Sequence, residues 1–413
     1  MPFRTLRSLD VAGRRVFVRV DFNVPLSEDG RVADDTRIVA SLPTLRYLIE
    51  KRARVVIASH LGRPQGKRDP KLGLAPVRER LERFLRKQVA FAESIVGPDA
   101  ERLAGSLEEG GVLLLENLRY DPREEANDPG FSGELARLAD VYVDDAFGAA
   151  HRAHASTVGI TAFLTECAAG FLLEHELQAL GKLLESPERP FVAILGGAKI
   201  SGKIDVLVNL LPRVDRLIVG GGMMFTFLRA KGLDTGRSLV EEDRVALAKE
   251  ILARPDAARK VILPRDCIAA VDTSGADPGR VVGVDRIPPG LAGVDVGPQT
   301  VAMIAESLAD ARTVFWNGPM GVFEVPAYAE GTLQTAKAVA LATGRGAFTV
   351  VGGGDSLSAI HQAGLENQVS HCSTGGGASL EFLEGRVLPG VAALESTAKG
   401  ATVSPSAGTK AAR

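Results

Sequence analysis

Short runs of β-branched and apolar residues recur along the chain, most of them followed by a stretch of helical length. RVFVRV (15–20), RVVIAS (54–59), GVLLLEN (111–117), VYVDDA (141–146), FVAILG (191–196), RLIVGG (216–221), KVILPRD (260–266), TVFWNG (313–318) and FTVVGG (348–353) are the strands this pattern predicts. The intervening spacing is helical: Ile38, Leu42, Leu45, Leu48 and Ile49 form one stripe in residues 36–52. Strands that are apolar throughout are buried on both faces, and strand–helix alternation supplies the covering helices. The pattern predicts an α/β protein with parallel sheets flanked by helices. In such sheets ligands collect in the loops at the carboxyl ends of the strands.

Those loops carry the unusual residues. FTVVGGGDSLSAI (348–360), RLIVGGGMMFTFL (216–228) and SHCSTGGGASLEFL (370–383) each set three glycines where an extended run gives way to a helical pattern, and FVAILGGAKISGKI (191–204) sets two. Bare backbone at a helix start lets N–H groups approach phosphate, and the helix terminus adds about half a positive charge. Four such junctions point to loops shaped for one phosphorylated ligand. Lys199 and Lys203 in GGAKISGK are four apart, on one face if helical. Asp355 follows the glycines at a helix start, where a carboxylate suits a nucleotide-bound Mg²⁺. Glu324 in WNGPMGVFE is placed to accept from ribose hydroxyls.

The first half offers different chemistry. Asp21 and Asn23 leave a strand end on the same side, at period two. Arg37 stands near a helix start with Thr36 as the expected N-cap. His60 and Arg63 follow a second strand, Arg119 a third, and His151, Arg152 and His154 a fourth. Arginine forks bind carboxylate and phosphate bidentately, so Arg37, Arg63, Arg119, Arg152 and His60 together would form a pocket for a small, multiply charged acid. The HRAH spacing, without a supporting carboxylate or thiol, argues against zinc.

Composition narrows the class. The 413 residues leave room for two or three domains, and 45 glycines exceed the usual ~7 %. A net charge of −2 gives no global field for nucleic acid or an anionic membrane. No run of 18 apolar residues predicts a membrane span, and the opening MPFRTLRSLDVAGRR does not read as a signal peptide. Cys167, Cys267 and Cys372 are too far apart for a disulfide framework or metal cluster, so a cytoplasmic setting is expected. Residues 171–190 read as one helix stopped by SPERP, where a domain boundary is expected. Residues 395–413 read as a disordered tail. Neither a P-loop nor a G-x-G-x-x-G after the first strand is present, which argues against a standard P-loop enzyme and against the alternative, a Rossmann-type nucleotide-dependent dehydrogenase.

VRVDFNVP, SHLGRP, LLLENLRY, DDAFGAAHRAHAS, ILGGAKISGKI, WNGPMGVFE, VVGGGDS and STGGGASLEFLEGRVLPGVAAL follow one another in the order of the phosphoglycerate kinase family, which the chain resembles from about residue 3 to residue 393. The resemblance implies two Rossmann-like domains joined by an interdomain helix and hinge. Residues 1–170, with about 388–393 returning to them, would bind 3-phosphoglycerate or 1,3-bisphosphoglycerate. Residues 171–387 would bind Mg²⁺ with ATP or ADP. By matching position, Asp21, Asn23, Arg37, His60, Leu61, Gly62, Arg63, Arg119 and Arg152 would hold the acid. Lys203, Glu324, Gly353, Gly354, Asp355 and Ser356 would meet the nucleotide, with Asp355 near the metal. Lys199 and the amides of Gly376 and Gly377 would face the transferring phosphoryl group, and Arg37 the acyl end. Ser356 stands where the family often has Thr, and the chain after Leu394 matches nothing in it. The implied protein is a monomer whose domains close to join donor and acceptor.

Overall fold

The computed structural model describes residues 3–398. It divides into two compact units. One runs from the chain start to Leu177 and takes up the chain again from Val387; the other is Gln178–Arg386. The change of unit expected at residues 170–171 thus falls inside the helix Phe171–Glu185, seven residues later.

The first unit is built on β1 (Arg15–Val20), β2 (Arg54–Ala58), β3 (Ala90–Phe91), β4 (Val112–Leu114), β5 (Val141–Asp145) and β6 (Cys167–Ala169). Their order is β3-β4-β2-β1-β5-β6, all parallel. The central strands β1 and β5 are buried almost throughout, as unbroken apolar runs require of a sheet covered on both faces. Val16, Val18 and Val20 pack with Val55, Ile57, Val112, Leu114, Val141 and Val143 in one core. Each such side chain contributes about 1.5–3 kcal/mol by leaving water. The helix Pro389–Ala398 completes this unit: Gly390 N donates to Ala150 O at 3.0 Å, and Val391, Ala393 and Leu394 are buried. Glu395–Ala398, expected to open a disordered tail, instead continue that helix; residues 399–413 of the expected tail lie outside the described residues.

The second unit has β7 (Phe191–Leu195), β8 (Arg216–Val219), β9 (Val261–Ile262), β10 (Asp266–Ala270), β11 (Arg280–Gly283), β12 (Ala292–Val296), β13 (Thr313–Asn317), β14 (Phe348–Gly352) and β15 (His371–Ser373). Its main sheet, β15-β14-β13-β7-β8-β9, is parallel, and β11-β10-β12 form a separate antiparallel sheet. The strand expected over 260–266 is two strands of different sheets. Pro264 separates them, and proline has no N–H for a ladder.

Three of the four glycine junctions are strand-to-helix turns, opening the helices Met223–Ala230, Gly354–Gln362 and Gly377–Leu383. The fourth is a loop: after β7 the chain stays irregular through Lys199 and turns into a helix only at Ile204. Lys199 and Lys203 therefore do not share a helical face.

Candidate active site

In the first unit the polar residues gather just past the carboxyl ends of β1, β2, β4 and β5. Asp21, one residue beyond β1, is the pivot. It accepts from the Arg37 guanidinium and from the Asn23 amide at 3.2 Å, and its Oδ1 lies 3.9 Å from His60 Nδ1. Burial opposes ionisation of Asp21, but Arg37, Arg19 and the Asn23 amide hold its carboxyl below the ordinary 3.8. A Cβ on Gly148 would run into Asp21 Oδ2, so only glycine lets the turn after β5 approach this closely. Arg37 lies in the first turn of the helix Thr36–Glu50. The expected N-cap shifts by one: Asp35 holds that position, and Thr36 is the first helical residue, its amide donating to Asp34 Oδ1 at 2.7 Å.

His60 is neutral. Burial pushes its pKa well below 6.5, against the pull of Asp21, and Arg19, Arg119 and Arg37 push the same way. The positive charge that faces Asp21 therefore comes from the arginines. Arg19 Nη2 lies 3.2 Å from His60 Nδ1. A guanidinium can only donate, so His60 carries its proton on Nε2, where it can donate to a ligand.

Arg19 is a member of this cluster that sequence reasoning missed. It is 1 % exposed, and its Nε donates to Ser156 Oγ at 2.8 Å. Ser156 Oγ donates in turn to the buried Glu124 at 2.5 Å, and His154 Nδ1 lies 3.9 Å from the same carboxylate. Burial raises the Glu124 carboxyl, while Arg19 and Ser156 oppose that. Burial, with Arg19, Arg119, Arg152 and His151, pushes His154 down to about 3. Both imidazoles are thus kept from taking up a second proton, each lying among arginines.

Around this cluster a fully bonded side chain orders two loops. Asn117 Oδ1 accepts from Leu61 N and Arg119 N, each at 3.1 Å, and its Nδ2 donates to Leu61 O at 2.7 Å and Leu72 O at 2.9 Å. Leu61 is therefore buried and offers neither backbone group to a ligand. Gly62 N donates to Asn23 Oδ1 at 2.8 Å, and Arg119 Nη1 to Gly62 O at 2.7 Å. Arg119 Nε is buried with no hydrogen bond. Arg63 and Arg152 are exposed; Arg63 has no ion pair among the described residues, and Arg152 Nε reaches His151 Nε2 at 3.2 Å.

In the second unit, Lys203 precedes the helix Ile204–Leu210 and is half-buried. Its Nζ donates to Gly196 O at 2.6 Å and Asn317 O at 3.0 Å, stitching the ends of β7 and β13. Burial pushes the ammonium down to about 8, against Asp355, which raises it. Asp355 is exposed in the first turn of Gly354–Gln362. Gly353 precedes that helix at φ +90°, and a Cβ there would come within 2.9 Å of Asn317 Nδ2. That Nδ2 is buried and has no partner, a donor under the glycine turn which sequence reasoning missed. Ser356 points inward: its hydroxyl accepts from Gly318 N at 2.6 Å and fixes the turn after β13. Glu324 is exposed beyond that turn. Gly376, at φ +52°, and Gly377 open the helix after β15. Lys199 is exposed in the loop after β7.

The phosphoglycerate kinase family model matches residues 6–386. Phosphoglycerate kinases of Moorella thermoacetica and Chlorobium luteolum are 56 % and 53 % identical to this chain, over 94 % and 95 % of it and 98 % and 100 % of their own lengths. The solved phosphoglycerate kinase of Coxiella burnetii superposes with a TM-score of 0.86 at 42 % identity, covering 95 % of this chain and 99 % of its own. That of Pyrococcus horikoshii gives 0.85 at 34 %, covering 96 % and 99 %. With the strand order, the arginine cluster and the glycine junctions, these matches mean that the chain belongs to the phosphoglycerate kinase family.

Proposed function

We propose that this enzyme transfers a phosphoryl group reversibly between 1,3-bisphosphoglycerate and ADP, giving 3-phosphoglycerate and ATP. The observation that carries the reading is the division of the two chemistries. Arg19, Arg37 and Arg119 with His60 lie at one set of strand ends, and glycine turns with Lys203 at another. On this reading the acid meets Asn23, Arg37, His60, Arg63, Arg119 and Arg152. Asp21 orients Arg37, and the Leu61 and Gly62 backbones act indirectly, by fixing Asn117, Asn23 and Arg119. Two Lys203 protons are engaged and the third, with Asn317 Nδ2 and the Gly353 and Gly354 amides, is left for nucleotide phosphates. Ser356 supports that turn from beneath, and Glu324 receives the ribose.

The described residues hold no cluster of three or more metal-ligating side chains. The lone carboxylate of Asp355 fits a Mg²⁺ that arrives with the nucleotide and keeps phosphate and water ligands. Such an ion neutralises phosphate charge. An acyl phosphate carries its own good leaving group, so positioning and charge stabilisation suffice and no covalent enzyme intermediate is needed. Lys199 and the Gly376 and Gly377 amides face the equatorial oxygens of the moving phosphoryl, and Arg37 the acyl end. Transfer requires the two bound substrates to be brought together with water excluded. No described helix is long and apolar enough to cross a membrane; work in the cytoplasm as a monomer belongs to this proposal. A coupled assay with ATP, Mg²⁺ and 3-phosphoglycerate tests the reading: turnover should require all three and no nicotinamide cofactor. ATP consumption that ignores 3-phosphoglycerate would overturn it.

The lowered pKa of Lys203 sets a pH dependence. Below about 8 the ammonium is charged and attracts phosphate; above it the free protein is neutral there, and binding must draw a proton from solvent. ADP affinity should fall by up to about tenfold per pH unit above that value, until the pKa of the complex is reached. Calorimetry at pH 7–9.5 in buffers of different ionisation heat should show proton uptake, and Lys203→Met should abolish it. The same shift makes stability rise with pH between the folded and unfolded pKa values, because there the unfolded chain binds more protons.

A further inference from the structure

The loop that carries Lys199 is glycine-rich, with Gly196, Gly197 and Gly202 around it, yet its backbone is fastened on both sides of the lysine. On the upstream side Gly197 N donates to Pro319 O at 2.8 Å, and Met223 N donates to Gly197 O at 3.1 Å. On the downstream side the fastener is a side chain forty residues away. Glu241 Oε2 accepts from Ile200 N at 2.5 Å and Ser201 N at 3.1 Å, and Oε1 accepts from Ser201 Oγ at 2.6 Å. Glu241 is itself fixed, its amide donating to the buried Thr226 Oγ1 at 3.1 Å. These amides start the turn closed by Lys203 N on Ile200 O, so the carboxylate caps that turn from outside the local chain. Burial opposes its charge, but Ser201, Ile200 and Lys199 together hold the carboxyl below its ordinary 4.5.

We propose that Glu241 is a positioning residue for phosphoryl transfer: its carboxylate clamps Ile200 and Ser201 and so sets where the Lys199 ammonium is presented. The inference rests on the role given to Lys199 above. A glycine-flanked loop released at one end would let the lysine sample many positions, and ångström-scale misplacement of a catalytic group costs up to about 10²-fold in rate. The effect falls on kcat, because a cation that acts on transition-state charge adds little to ground-state binding.

The test is a double-mutant cycle on the whole enzyme, with 3-phosphoglycerate, Mg²⁺ and ATP as substrates. Glu241→Ala should lower kcat about ten- to a hundredfold, with both KM values within about threefold. Glu241→Gln keeps one acceptor oxygen but turns an amide N–H toward backbone donors; it should fall between Glu241→Ala and the unmodified enzyme. In a Lys199→Ala background either change should alter kcat less than about twofold, since no lysine remains to be placed. A Glu241 effect of full size in that background would overturn the inference, as would unaltered kcat in both single variants at unaltered melting temperature. Near-normal kcat in Lys199→Ala alone would instead overturn the role of Lys199, so the two failures are distinguishable. If Glu241→Ala does not fold, Glu241→Gln carries the cycle by itself.

Discussion

Replacing Lys199 by alanine should lower kcat about 10²–10³-fold, the usual cost of losing one group that stabilises transition-state charge. KM for 3-phosphoglycerate and for ATP should change much less. The structure supports this asymmetry. Lys199 is exposed on its loop, whereas Lys203 is half-buried and tied to two carbonyls. An untethered ammonium can meet charge that develops during transfer, while a tethered one holds a ground-state phosphate and supports the turn. Lys203→Met should therefore weaken nucleotide binding and lower the melting temperature, and Lys199→Ala should leave the melting temperature nearly unaltered. Steady-state kinetics with thermal denaturation of both variants separate the roles. A Lys199→Ala enzyme with near-normal kcat would remove that lysine from the transition state.

Arg63→Ala and Asp355→Ala should divide ligand binding between them. Arg63 is exposed and without an ion pair among the described residues, so its loss leaves no buried charge behind and reports on ligand contact. A hydrogen bond to a charged group contributes about 1.5–3 kcal/mol, so 3-phosphoglycerate should bind about 10- to 150-fold more weakly to Arg63→Ala. ADP binding with Mg²⁺ should be unaffected. Asp355→Ala should weaken ADP binding in Mg²⁺ and leave 3-phosphoglycerate alone. Calorimetry of each ligand on each full-length variant gives four numbers. Equal losses on both ligands would sink the assignment of one substrate to each unit.

How far such roles can be read from sequence depends on how local they are. The places of Asp21, His60 and Arg119 in the fold were legible because an apolar run ends and the next few residues must lie at the carboxyl edge of a parallel sheet. Arg19 was not, because it lies inside β1, where an arginine reads as an interruption; its burial depends on Ser156 and His60, far along the chain. Asn317 closes β13 and reads as a turn residue until Gly353 is seen above it. Lys199 and Lys203 shared a helical spacing, but Gly202 and the Glu241 clamp delay the helix to Ile204. The antiparallel sheet of β10, β11 and β12 was missed for a different reason. DCIAA, RVVG and AGVDV are short, interrupted by Asp and Gly, and carry almost no periodic signal.

The helix Pro389–Ala398 has a consequence for how the molecule is made. It packs on β6 and the turn Gly159–Ala162 of a unit whose other elements end at Leu177. On a ribosome those elements emerge first, and the whole of Gln178–Arg386 is then synthesised before the covering helix follows. At ordinary translation speeds that delay is roughly 10–40 s, long beside the folding of a domain. The continuous unit can close as soon as Arg386 is clear. A nascent chain arrested before Val387 would carry a finished second unit and a first unit with the face over Cys167–Ala169 still wet.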